Sequence, residues 1–341
     1  MNKVTVIIPA YGVEKYIAST IESVLAQSYQ NFELVIVDDG SPDRSVEICQ
    51  RFKDPRIRIL RQENQGPAAA RNLGIANSDG EYIAFLDGDD LWQPDKLAKH
   101  VEHLNNAPEV GVSFCRSELI DEFDRSLGMY QVITKLEDIT PLDLLCRTPI
   151  GNGSVPVIRR STLEDIKYTL NQGETEQTCF FNPDRSIHPS EDVECWMRIA
   201  LTTSWKIAGI SDALTLYRVN SRGFSANLEK KLASWERMLE AVEQYAPDAR
   251  QKWMRPAMAY QLRHLARRAV SLRDGQMAIS FSHRAMSAYS PILTEEPYRT
   301  FQTFAAAYSV RFFPIELYKK LEKFMMQKNG IVQSYVAKTS E

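Results

Sequence analysis

Tyr82–Asp90, YIAFLDGDD, decides how the chain is read. Tyr82, Ile83, Ala84, Phe85 and Leu86 form an apolar run with the length and makeup of a buried strand. The run ends in three carboxylates, Asp87, Asp89 and Asp90, broken only by Gly88. Like charges packed at a strand end repel unless a cation or hydrogen-bond donors neutralise them. Hard divalent cations such as Mg2+ or Mn2+ prefer carboxylate oxygens, and Mg2+ sites use one or two carboxylates together with substrate phosphates. In a parallel sheet, ligands gather at the carboxyl ends of the strands. Asp87 and Asp89 therefore read as a metal–phosphate pair. Asp90 reads as the N-cap of a helix beginning around Trp92–Lys99.

Upstream, strands and helices alternate. Val4–Ile8 is a β-branched strand closed by Pro9, and Val13–Gln27 carries Val13, Ile17, Ile21, Val24 and Leu25 at helical spacing. Phe32–Val37 is a second buried strand ending in Asp38-Asp39-Gly40-Ser41. Asp43–Phe52 reads as a helix, Ile57–Leu60 as a strand, Arg61–Gly66 as a loop and Ala68–Ala76 as a helix, before the Ser78–Gly80 turn. This alternation predicts an α/β domain with a mainly parallel sheet flanked by helices. A dinucleotide fold would need G-x-G-x-x-G after the first strand, and PAYGVEKY offers one glycine.

Downstream the pattern loosens. Val110–Cys115, Ser154–Ile158 and Ala208–Tyr217 read as strands, and Pro141–Leu145 and Glu191–Leu201 as helices. Tyr168–Pro189 is rich in Gly, Thr, Gln, Asn and Pro, without a clear period, and reads as a mobile loop beside the site. From about Leu228 the chain turns helical: Lys231–Tyr245, Arg250–Leu272, Gly275–Tyr289, Tyr298–Phe312 and Ile315–Gln327, with a hairpin at Arg273–Gly275. Two domains are expected, 1–227 and 228–341. Phe312, Phe313, Ile315, Leu317, Leu321, Phe324 and Met325 alternate with Lys319, Lys320, Lys323 and Lys328. A basic amphipathic helix of this kind lies on an anionic bilayer or packs on its own domain.

Composition sets bounds. The 341 residues are 44% hydrophobic and 25% charged, a makeup able to bury a core. A net charge of −3 gives no electrostatic case for nucleic acid. Five scattered cysteines without metal spacing fit free thiols in a reducing cytoplasm. The opening residues run from Lys3 straight into a strand, unlike a signal peptide, and no apolar run is long enough to span a bilayer.

VIIPAYGVEKYIASTIESVLAQSYQNFELVIVDDGSPDRS, then ENQGPAAARNLGI, then YIAFLDGDDLW, resemble a family-two glycosyltransferase of the GT-A fold. The resemblance covers Val4–Asn227, in order and with the expected spacings; the helical region lies outside it. It implies a nucleotide diphosphosugar donor, a glycan or lipid-linked glycan acceptor, and Mg2+ or Mn2+. By resemblance Pro9, Tyr11 and Glu14 line the donor pocket, and Asp39 reads the base edge. Asn64 and Gly66 shape the donor loop, and Arg71 contacts nucleotide or diphosphate. Asp87 holds the ribose or the metal's water shell, and Asp89 ligates the metal. Acids in the first turn of Glu191–Leu201 suit the helix dipole without any function. The resemblance makes Asp192 the general base and Glu191 its support. Trp196 and Arg198 read as packing residues and His188 as a loop histidine.

The chain departs from the family's pattern at Gly12, where Asn is usual, and at Asn220, which replaces a histidine in YRVNSRGFS. Arg218 and Arg222 are then open to diphosphate contact or to plain solvation. The Q-x-x-R-W signature of processive synthases is absent from the sequence, which favours transfer of a single sugar. The expected setting is cytoplasmic, with peripheral contact at the inner membrane face. The competing reading is a non-catalytic nucleotide-sugar-binding scaffold.

Overall fold

The structure, a computed structural model, describes residues 2–133, 135–172, 175–219 and 227–314. Two compact units form: residues 1–144 with 148–219, and residues 145–147 with 220–341.

The first unit opens with β1 (Val4–Ala10), α1 (Ile17–Leu25), β2 (Phe32–Asp38), α2 (Ser45–Arg51), β3 (Ile57–Arg61), α3 (Pro67–Ala76) and β4 (Tyr82–Phe85). It continues through β5 (Leu91–Trp92), α4 (Lys96–Asn106), β6 (Val110–Ile120), β7 (Ser126–Tyr130), α5 (Pro141–Arg147), β8 (Val157–Arg159) and α6 (Arg160–Ile166). The hairpin β9 (Tyr168–Gln172) and β10 (Thr175–Cys179), then α7 (Glu191–Thr202) and β11 (Lys206–Arg218), complete it.

The main sheet runs β3-β2-β1-β4-β8-β6-β11-β5, with β7 beside β6. Its first four strands are parallel and in step: Val4 lies opposite both Phe32 and Tyr82, and Ile7 opposite Phe85. Helices cover both faces of such a half-sheet, which is why its strands read as continuous apolar runs. Ile8, Leu34, Ile36 and Ala84 are buried with Ile17, Ile21 and Val24 of α1 in one core. Because the strands share a register, the loops after β1, β2 and β4 open at one edge. Beyond β4 the sheet is mixed, since β8 runs antiparallel to both β4 and β6. β6 and β11 pair parallel to each other and run the same way as β1 to β4, so the expectation of a mainly parallel sheet holds, with β8, β5 and β7 reversed.

Two expectations change here. Leu91–Trp92 pairs with Thr215–Leu216 as a short strand, so the helix starts only at Lys96. Tyr168–Pro189 holds an antiparallel hairpin and a 3-10 turn, Arg185–Ile187, where a loop was expected. Its strands are polar and short, a weak sequence signal. Asn72 anchors the chain just after the hairpin: its Oδ1 accepts from Phe180 N (3.0 Å) and Phe181 N (2.8 Å), and its Nδ2 donates to Phe181 O (2.8 Å).

The second unit consists of α8 (Leu228–Tyr245), α9 (Asp248–Ser271), α10 (Gly275–Ala288), α11 (Ile292–Glu295) and α12 (Pro297–Phe312). Leu232, Leu262, Leu265, Ala266, Ala269, Phe281 and Ala307 form its core. The expected helix Ile315–Gln327 lies outside the described residues. No helix among the described residues is long and apolar enough to cross a membrane.

Candidate active site

The first carboxylate pair follows β2, and both members are buried. Asp38 Oδ1 accepts from Ser41 N at 2.9 Å, and Oδ2 from Arg61 Nε at 3.1 Å. Asp39 accepts four bonds: from Gln62 Nε2 (2.6 Å) and Gln65 N (2.8 Å) on Oδ1, and from Asn64 Nδ2 (3.1 Å) and Gly66 N (2.8 Å) on Oδ2. A carboxylate offers about four lone-pair sites, so these donors fill it. Asp39 therefore ties Asn64 and Gly66 to the end of β2 and fixes the point where α3 starts. Pro9 closes β1 in register with Val37, and Tyr11 stands 52% exposed just beyond it. Glu14 is a surface residue whose Oε2 accepts from Arg44 N (3.1 Å) and Nε (3.3 Å). Gly12 sits at φ +67°, a conformation glycine adopts freely and asparagine tolerates, which accounts for the exchange of one for the other.

The second carboxylate set follows β4. Arg71 of α3 donates through one terminal nitrogen to Asp87 Oδ1 (2.8 Å) and through the other to Glu191 Oε1 (3.2 Å). Glu191 Oε2 in turn meets His188 Nδ1 at 3.1 Å. Arg71 is only 4% exposed, and its Nε is buried without a hydrogen-bond partner. The arginine assigned to the donor by resemblance thus bridges two carboxylates 104 positions apart in the chain (191 minus 87). Gly153 permits this approach: a Cβ there would lie 2.7 Å from an Arg71 terminal nitrogen.

Asp90 is not a helix cap. It is buried, and its carboxylate accepts from Ser154 Oγ (2.7 Å) and Arg218 N (2.8 Å), while Asp95 occupies the N-cap position of α4. The strand pairing of Leu91–Trp92 turns Asp90 inward. Ser154 Oγ also accepts from Asp87 N (3.0 Å), so one hydroxyl braces both ends of the acidic turn. Arg218 is not solvated. It is buried over the Tyr16 ring, and it donates to the Asp89 carbonyl (2.6 Å) and the Asp121 carbonyl (2.8 Å). Asn220 and Arg222 lie outside the described residues.

The neighbouring acids at the start of α7 are pushed in opposite directions. Burial, reinforced by the Glu191 charge, raises Asp192 to about 7. Burial also acts against ionised Glu191, but the bond from His188 and the charge of Arg71 outweigh it and hold Glu191 below its usual value. Such divergence separates a proton acceptor from a fixed charge. Arg198 and Trp196 pack as expected: Arg198 is buried against Glu194 (3.0 Å), and Trp196 meets Phe181 edge-on.

The acidic turn also fits a hard cation. Burial and then the Asp89 and Asp87 charges drive Asp90 well above its ordinary value, while Asp87 accepts from Arg71 at 2.8 Å. Among the described residues no group of three or more metal-ligating side chains forms, so a cation there would need oxygens from a bound phosphate as well. Sequence reading missed Ser154, Gly153 and Asn72, and took His188 for a loop histidine. Only the Gly151-Asn152-Gly153-Ser154 run, a turn-like stretch before a strand, offered a cue.

The profile of "Glycosyl transferase family 2" matches residues 5–167. A putative teichuronic acid biosynthesis glycosyltransferase of Bacillus subtilis, TuaG, is 30% identical over 227 residues, 66% of this chain and 82% of that protein. Other curated relatives are matched over less than half of their own length. Among solved structures, Staphylococcus aureus TarS 1–349 in complex with UDP-GlcNAc aligns with TM-score 0.53 at 18% identity, covering 91% of each chain. The mannosyltransferase PcManGT of Pyrobaculum calidifontis, in complex with GDP-Man and Mn2+, aligns with TM-score 0.55 at 20% identity, over 90% of this chain and 85% of that one. At these identities the structures speak for the fold, and the sequence relative with most of its length covered speaks for descent: the chain belongs to glycosyl transferase family 2.

Proposed function

We propose that this protein transfers one sugar from a nucleotide diphosphosugar, UDP-linked in the first instance, to a hydroxyl of a glycan or lipid-linked glycan of the cell envelope, with inversion at the anomeric carbon. The observation that carries the reading is the chain of contacts Asp87–Arg71–Glu191–His188, with Asp192 next to Glu191 in the first turn of α7. It joins the carboxylate turn after β4 to the acid pair that opens α7.

Pro9, Tyr11, Glu14 and the loop held by Asp39, with Asn64 and Gly66, receive the nucleotide. Reading a base edge with Asp39 requires one present donor to yield, and the flexible Gln62 amide is the natural one. Asp89, with Asp87 beside it, would hold Mg2+ or Mn2+, which would supply positive charge for the departing diphosphate. Asp192 accepts the proton of the acceptor hydroxyl, whose oxygen attacks the anomeric carbon opposite the diphosphate. The new C–O bond forms as the bond to the diphosphate breaks, so the configuration inverts and no covalent enzyme intermediate is needed. An aspartate raised to about 7 is suited to that exchange near neutral pH. Arg71 keeps Glu191 and Asp87 in register rather than reaching the donor. A cytoplasmic setting with peripheral membrane contact follows from a lipid-linked acceptor.

A thermal-shift panel of UDP-, GDP- and dTDP-sugars, with and without Mn2+, tests the reading, since a ligand that binds only the folded state raises its melting temperature. One donor should stabilise wild type only with metal, and Asp89→Ala should abolish that gain. No shift with any donor would overturn the donor assignment, and an undiminished shift in Asp89→Ala would place the cation elsewhere.

A further inference from the structure

Within the helical unit, α12 presents different residues to its two sides. Thr300, Thr303 and Ala307 face inward. At Gly275, α10 approaches α12 so closely that a Cβ would lie 2.6 Å from Arg311 N. The other face carries Tyr298, Phe301, Ala305, Tyr308 and Phe312, alternating intervals of three and four residues that make one stripe. Tyr298 is 60%, Phe301 71% and Phe312 67% exposed. Tyr308 is held upright by a 2.8 Å bond to His283 Nε2 and stacks on Phe312. Contiguous exposed aromatics mark an interaction surface.

Charge selects the occupant. Between Pro297 and Pro314 the chain carries Arg299 and Arg311 and no acid, in a protein of net charge −3. Arg299 shares Glu296 with Arg263 and Arg147, which leaves that end of the helix positive. Lys319, Lys320, Lys323 and Lys328 follow in the sequence against Glu316 and Glu322. A second copy paired along the stripe would set arginine against arginine. An anionic lipid surface matches both the aromatic row and its basic flanks.

We propose that α12 lies on an anionic bilayer through Tyr298, Phe301, Tyr308 and Phe312. This places the membrane contact on α12, ahead of most of the basic stretch Phe312–Lys328 that the sequence singles out. The inference rests on the transfer reading only for its purpose, delivery of a lipid-borne acceptor, so binding is measured without donor or acceptor. Full-length protein should sediment with vesicles of phosphatidylcholine and phosphatidylglycerol and not with phosphatidylcholine alone. Phe301→Glu with Phe312→Glu should lower partitioning about tenfold or more, with the donor-induced thermal shift unchanged. Arg299→Glu with Arg311→Glu should do the same if the aromatic variant loses its melting transition. Wild-type partitioning in both folded variants would overturn the proposal by placing any contact after Pro314. Failure of wild type to bind the anionic vesicles would overturn it too, as would a dimer that Phe301→Glu dissociates without altering vesicle binding.

Discussion

In the sheet unit, Arg71, Asp90, Glu191 and Arg218 are charged and buried, whereas in the helical unit Phe301 and Phe312 are apolar and exposed. Each group is costly where it stands, but for different reasons. A buried charge demands partners, and those partners are visible: Asp87 and Glu191 for Arg71, Ser154 and the Arg218 backbone for Asp90. An exposed aromatic makes no such demand, and the stacking of Phe312 on Tyr308 does not identify its purpose. The contrast teaches that a site is found where charges have been forced together, and a docking face where apolar surface has been left out of the core.

The strongest way to test the buried side is at its chemistry. Asp192→Asn should lower kcat by about 10²–10⁴-fold, the usual contribution of a general base, while donor binding by thermal shift is kept. Wild-type kcat/KM should rise with pH through a value near 7, because only the ionised carboxylate accepts a proton and burial has raised it to about 7. Transfer that survives the substitution removes Asp192 from the mechanism. Arg71→Met should cost stability, by about 3–5 kcal/mol in urea unfolding, since it leaves Asp87 and Glu191 facing each other without the cation between them. Arg71→Lys should recover only part of this, because an ammonium lacks the fork that reaches both carboxylates. A near-neutral Arg71→Met would mean the network is decoration.

The sheet unit was largely legible because its signals are local. Ile8, Ile36 and Phe85 announce strands by composition, and Asp39, Asp87 and Asp89 stand at their ends. What local pattern could not convey is direction. Asp90 reads as a cap because acids favour that position, yet the two-residue strand Leu91–Trp92 turns it toward Ser154, 64 residues away. Arg218 reads as open to diphosphate contact or to solvation, and only the folded chain brings Tyr16, Asp89 and Asp121 around it. The Tyr168–Cys179 hairpin was missed because its strands are short and mostly polar, with only Tyr168, Leu170 and Cys179 as apolar signals. In the helical unit, the 3.6-residue period located α8, α9, α10 and α12 but could not say that α12 points its aromatic side outward.

The pH dependence of stability sharpens the comparison at one residue. Asp192 is raised in the folded protein above the unfolded value near 4, so its contribution is present at low pH and is lost as pH rises through about 7. Glu191 shifts the other way, and its contribution fades only as pH falls below the ordinary glutamate range. Between about pH 5 and 8 the Asp192 effect should dominate. Asp192→Asn should therefore be more stable than wild type at pH 8, by about 1–3 kcal/mol, with the gap closing toward pH 5. A constant gap across that range would mean the substitution acts through packing rather than through the buried charge.

The smallest expected effect probes the exposed side. A large apolar residue in a core loses about 3–5 kcal/mol on truncation, so Phe281 of α10, fully buried, sets the scale for this unit. Phe301 lies on the neighbouring helix at 71% exposure and touches little that folding needs. Phe301→Ser should thus change unfolding free energy by no more than about 0.5 kcal/mol, with urea midpoint and slope both close to wild type. Residues that serve the fold and residues that serve a partner part company in this measurement. A loss near that of Phe281→Ala would return Phe301 to the core, whereas a neutral result leaves an aromatic residue in water that folding does not require.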